Sequence, residues 1–135
     1  MAANGAQRRE TAVRKQYYFR PSDHGLLAWD VDRLVRLSSH LPRKRVPLAE
    51  IRELDEAWSG DGELPTWRAL LEHVRLIEEA DLSFPIILSA SGAVMDGMHR
   101  VARAVLQGRH DIEAVQFDED PAPDHVGRGP DELPY

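Results

Sequence analysis

The hydrophobic positions of this chain fall into short runs that alternate between helical and strand spacing. Val31, Leu34, Val35 and Ser38 recur at helical intervals behind Asp30, a good N-cap, and Leu41-Pro42 ends the run, which predicts a helix from Asp30 to about His40. Val46-Pro47-Leu48 reads as a short edge strand, since proline is tolerated at an edge and not in a central strand. Ile51, Leu54 and Trp58 return to helical spacing before the loop Ser59-Gly60-Asp61-Gly62. Thr66 opens a helix through about Ala80, with Trp67, Leu70, Leu71, Val74 and Ile77 on one face expected to enter the core.

The next runs are shorter. Phe84-Pro85-Ile86-Ile87-Leu88 has the branched aliphatics of a buried strand, Ser89 to Gly92 is a tight connection, and Ala93-Val94-Met95 returns as a second strand. A helix follows Gly97 and runs to about Gln107, with Gly108 as its C′ residue. Ile112 to Phe117 alternates as a half-buried strand. Upstream, Tyr17-Tyr18-Phe19 is an aromatic cluster where the chain meets its folded body, and Pro21 to Gly25 is a turn. The pattern predicts an α+β fold: one compact domain over 17–117, between a disordered basic arm (1–16) and an acidic, proline-rich extended tail (118–135) laid on the surface through Val126, Leu133 and Tyr135.

Composition narrows the function classes. The 135 residues are 42% hydrophobic, enough for a core, and contain no cysteine, which excludes a disulfide scaffold, a thiol nucleophile and a thiolate zinc site. No apolar run approaches the roughly 20 residues of a membrane helix, and no secretory signal is visible, so a cytoplasmic setting without membrane contact is expected. The net charge of −6 argues against general DNA binding by the whole surface. The charge is uneven: Arg8, Arg9, Arg14 and Lys15 precede the body, whereas Asp118, Glu119, Asp120, Asp124, Asp131 and Glu132 follow it. The six histidines are scattered, and no P-loop, dinucleotide fingerprint or Gly-x-Ser-x-Gly elbow is present.

The chemistry concentrates at Asp96-Gly97-Met98-His99-Arg100. A helix start offers unpaired N–H groups and partial positive charge, so His99 and Arg100 there make most sense if an anion such as a phosphate completes the site. Asp96 is either an N-cap, a Mg²⁺ ligand or a general base. His99 is either a packed histidine or a donor to phosphate that also shuttles protons. Arg103, one turn after Arg100, either widens the positive patch or is a solvated base. Arg100 is either a phosphate ligand or a surface arginine capturing an acid of the tail, and its truncation is expected to leave the fold intact.

These residues resemble the core of the ParB/sulfiredoxin-like superfamily, in which a Pro-Ile-Ile strand and a hairpin lead through a Gly-x-(His/Arg)-Arg turn into an alanine-rich helix and a final strand. Here the turn is Gly97-Met98-His99-Arg100 and the helix continues Val101-Ala102-Arg103-Ala104. Val46 to Ile51 and the helix from Thr66 also resemble that core, so the resemblance spans roughly residues 46–117. It implies a small mixed sheet and binding of CTP or ATP with Mg²⁺, the phosphates held by Gly97, Met98, His99 and Arg100, with Arg103 and the helix start at Thr66 nearby. By resemblance to the family's kinases, a carboxylate among Glu53, Asp55 and Glu56 acts as general base toward a hydroxyl, which makes an NTPase or small-molecule kinase the enzymatic reading. The alternative is a non-catalytic nucleotide sensor or nucleic-acid-associated module that works through its basic arm or a partner protein. Met98 stands where sulfiredoxins need cysteine, which excludes that reaction. The partition proteins' helix-turn-helix is replaced by the acidic tail, so DNA binding in their manner is not expected.

Overall fold

The computed structural model describes residues 15–57 and 65–135. The basic arm through Arg14 and the stretch from Trp58 to Leu64, with its expected loop, lie outside the described residues. The fold is α+β, with two small sheets, and the described residues form two compact units, residues 37–57 with 65–121 and residues 15–36 with 122–135.

The larger unit carries a four-stranded mixed sheet in the order β3-β6-β4-β5. Its strands are β3 (Lys44–Pro47), β4 (Ile86–Leu88), β5 (Val94–Asp96) and β6 (Asp111–Gln116). β3 is an edge strand antiparallel to β6, and Pro47 ends it, where its missing N–H costs no ladder bond. β4 lies parallel to β6, pairing Ile86 with Ala114 and Leu88 with Gln116, and antiparallel to β5 through a hairpin. All three β4 residues are buried, as expected of a central strand covered on both faces.

Helix α2 (Trp67–Glu79) begins where the sequence predicts: the Thr66 hydroxyl accepts the Ala69 N–H at 3.0 Å. Helix α3 (Met98–Leu106) starts from Gly97 and ends in a Schellman arrangement, with Arg109 N–H on Ala104 O, Gly108 N–H on Val105 O, and Gly108 at φ +75°. Val101 and Ala104 of α3 are completely buried and join Val46, Leu48, Ile51, Ile86, Leu88, Val94, Ile112 and Ala114 in one apolar core.

Two expectations for this unit fail. Ile51 and Leu54 do not continue a helix. Short 3₁₀ turns (Leu48–Glu50 and Arg52–Asp55) carry the chain there, with Ile51 buried and Leu54 exposed. Nor does the apolar face of α2 enter the core: Trp67 is 79% exposed and Leu71 62%. Helical spacing identifies an apolar stripe but not whether anything covers it.

The helix behind Asp30 and the turn at Pro21 to Gly25 stand where the pattern predicts them, whereas the strands of the smaller unit are not visible in it. β1 (Tyr17–Ser22) and β2 (Gly25–Asp30) form an antiparallel hairpin around the expected turn, and β7 (His125–Val126) pairs with β2. Helix α1 (Val31–Ser38) leads on from β2. The segment read as an extended tail therefore contributes a strand, and Leu133 is buried. Asp124 ties it down, accepting the Asp30 N–H at 2.8 Å and pairing with Arg33 at 3.2 Å. The Arg20 guanidinium stacks over the Trp29 ring at 4.8 Å, so this aromatic cluster is engaged internally. Among the described residues, no helix is long and apolar enough to cross a membrane.

Candidate functional site

The β4–β5 hairpin delivers Asp96 to the end of the sheet where β4 begins, and the chain reverses into α3 through Gly97. Gly97 sits at φ +113°, a conformation L side chains rarely adopt. A Cβ there would stand 2.7 Å from Ile86 Cγ2 and 2.9 Å from Arg100 Nη2. Packing as well as backbone geometry thus demands glycine, and its Cβ side is filled by protein.

Arg100 is not the surface arginine expected. Its side chain is 16% exposed and folds back along the turn. Nη2 donates to Asp96 Oδ2 at 3.2 Å and lies 3.4 Å from the Pro85 carbonyl oxygen. Nε is buried without a partner. An unsatisfied donor of this kind carries a desolvation cost, about 1–3 kcal/mol by general precedent. The N–H groups of Met98, His99 and Arg100 have no acceptor within α3, whose first ladder bond runs from Val101 N–H to Gly97 O. The Met98 side chain packs against the apolar core, leaving its backbone as the part available at the turn.

His99 projects toward α2, where its Nε2 lies 3.2 Å from Nδ1 of His73 and the rings meet edge to face. Burial holds the His99 pKa below its ordinary value, His73 and Arg100 lower it further, and Asp96 opposes them. The His99 imidazole is accordingly neutral near pH 7. Arg103 donates to the backbone carbonyl of Glu78 at the end of α2, an interhelical tie rather than a free base. The contacts His73–His99 and Glu78–Arg103 advance together, so α2 and α3 run in the same direction. Thr66 lies seven residues before His73, about 10 Å further along the helix axis, and its hydroxyl serves as a cap. It does not join the turn.

Of the candidate carboxylates, Asp55 and Glu56 are exposed. Glu53 is positioned: Oε2 accepts the Val94 N–H at 2.8 Å and Oε1 is buried without a donor. Val94 is two residues before Asp96, about 7 Å along β5. Two neighbours of the turn escaped sequence reasoning. His73 is visible only through the helix–helix register. Asp81 follows α2, accepts the Ser83 N–H and hydroxyl, and has its pKa held low by those bonds and by the nearby charges of Arg100 and Arg103. The Asp81-x-Ser83 spacing of an Asx turn was the available signal.

Among the described residues, no group of three or more His, Asp or Glu side chains forms a ready metal cage. Asp96 supplies one carboxylate, enough for a Mg²⁺ that takes its remaining ligands from phosphates and water. Neither family models, nor curated proteins, nor solved structures show a match to this chain.

Proposed function

We propose that the Asp96–Arg100 turn binds the phosphates of a nucleoside triphosphate, CTP or ATP, and that the chain is a nucleotide-binding module of the ParB/sulfiredoxin-like kind. The observation that carries this reading is the state of Arg100: a largely buried guanidinium at a helix start, satisfied on one nitrogen by an internal carboxylate and unsatisfied on another. Asp96 acts as the resident anion. An incoming phosphate oxygen accepts from the free amides of Met98, His99 and Arg100 and competes with Asp96 for the guanidinium; Nε, buried at rest, becomes a donor once the guanidinium turns toward the phosphate. Asp96, once released, is the residue that would hold Mg²⁺, whose chemistry is neutralisation of phosphate charge. With Nε2 facing His73, neutral His99 donates to a phosphate from Nδ1 when its proton lies there.

Binding without turnover is the simpler form of the proposal. Asp55 and Glu56 are solvent-facing, and Glu53 is the one acid of the three with a fixed position from which to accept a hydroxyl proton. Thermal-shift measurements with CTP, ATP and GTP, with and without Mg²⁺, test the reading. Stabilisation by a triphosphate that Arg100→Ala reduces supports it, and accompanying phosphate release favours the NTPase form. No response of the parent protein to any of the three overturns it.

A further inference from the structure

At the opposite end of the four-stranded sheet from Gly97, the parallel strands β4 and β6 finish side by side, at Leu88 and Gln116. The carboxyl ends of parallel strands are where open sheets commonly receive ligands. A cavity of about 380 Å³ opens there. Its apolar wall is Leu41, Pro42 and Phe117, and its polar wall includes Lys44, Gln116 and Asp118.

The polar wall is ordered on one side and open on the other. The Gln116 amide spans the gap: Nε2 donates to the Ser89 carbonyl at 2.9 Å, and Oε1 accepts from the Lys44 ammonium. Lys44 is thereby held over the cavity with one of its three N–H donors used. Asp120 accepts the Ala90 N–H at 2.8 Å and fixes the adjoining hairpin. Lys44 and Asp118 line the same cavity yet make no ion pair with each other. A cation and a carboxylate, facing one space beside an apolar wall, match a ligand that carries both charges and an apolar group.

We propose that this cavity binds a small zwitterion of the α-amino acid class. Its carboxylate pairs with Lys44, its ammonium pairs with Asp118, and an aliphatic side chain rests on Leu41, Pro42 and Phe117. The site is independent of the phosphate reading and shares no residue with it.

Two-dimensional NMR of the full chain, titrated with L-leucine, isocaproate and isoamylamine, tests the proposal. Leucine is expected to shift the Ala90, Gln116, Phe117 and Asp118 resonances saturably. Each analogue keeps one charge and is expected to bind about 10-fold or more weakly. Asp118→Asn is expected to reduce leucine to the affinity of isocaproate, and Lys44→Met to that of isoamylamine. No shift in the cavity resonances of the parent protein overturns the proposal, as does isocaproate binding as tightly as leucine. Unchanged leucine affinity in both variants overturns it equally. Because the ligand panel is read on the parent protein, the test does not depend on either variant folding.

Discussion

Replacing Gly97 with alanine isolates the packing of the turn from its backbone geometry. The added Cβ meets Ile86 Cγ2 at 2.7 Å and Arg100 Nη2 at 2.9 Å, and it must also accept φ +113°. Left-handed backbone costs an L residue about 1–2 kcal/mol. Overpacking against a completely buried isoleucine adds about 1–3 kcal/mol, because Ile86 has no free space into which to move. The sum is about 2–5 kcal/mol, much of a small protein's stability. Gly92 provides the control. It has φ +94°, but a Cβ there meets nothing within 4 Å, so Gly92→Ala should show the backbone cost alone. Urea unfolding followed by far-UV circular dichroism measures both, and a slope of about 1–3 kcal/mol per molar resolves the difference. If the two variants lose equal stability, the contact of Gly97 with Ile86 and Arg100 is not the constraint described.

Other consequences are smaller in scope. Arg100→Ala should destabilise by about 1–2 kcal/mol in chemical denaturation, since it strips a partner from Asp96 in a mostly buried setting; an unchanged midpoint would return the arginine to the surface. Folding keeps His99 neutral by lowering its pKa below 6.5, so its contribution is full above that value and is lost as the pH falls through 6.5 toward the folded pKa. The fall in stability between pH 7.5 and 5 should therefore be smaller in His99→Gln than in the parent, and an equal fall would contradict the His99 assignment. Thr66→Ala should cost about 1 kcal/mol through loss of the α2 cap, seen as a lowered thermal midpoint. Trp67→Ser should change stability by no more than about 0.5 kcal/mol, because the indole is exposed; a large loss would mean that the ring is covered.

What was legible in the sequence was local. Thr66 as a cap, Gly97 as the strand-to-helix reversal and Gly108 as a helix terminator all rest on interactions within a few residues, and each is observed. The order of β4, β5, α3 and β6 was readable for the same reason. The first hairpin was not, because Gly25, Leu26, Leu27 and Ala28 show neither alternation nor a run of β-branched residues, and β7 reaches β2 across nearly the whole chain. The site divides along the same line. Asp96 and Arg100 are four residues apart and meet across one helical turn, whereas His73 reaches His99 only through the packing of α2 on α3. The exposure of Trp67 follows from that packing too: with His73 level with the start of α3, the first turns of α2 project beyond it.

Phosphate entry at the start of α3 is the proposal on which the functional reading rests. Titrating isotope-labelled protein with CTP and ATP in the presence of Mg²⁺, while following the backbone amides and arginine Nε resonances, tests it directly. Saturable shifts are expected at Gly97, Met98, His99 and Arg100, including Arg100 Nε, that disappear in Arg100→Ala. Absence of shifts at saturating nucleotide, or shifts confined to residues away from the turn, would contradict it.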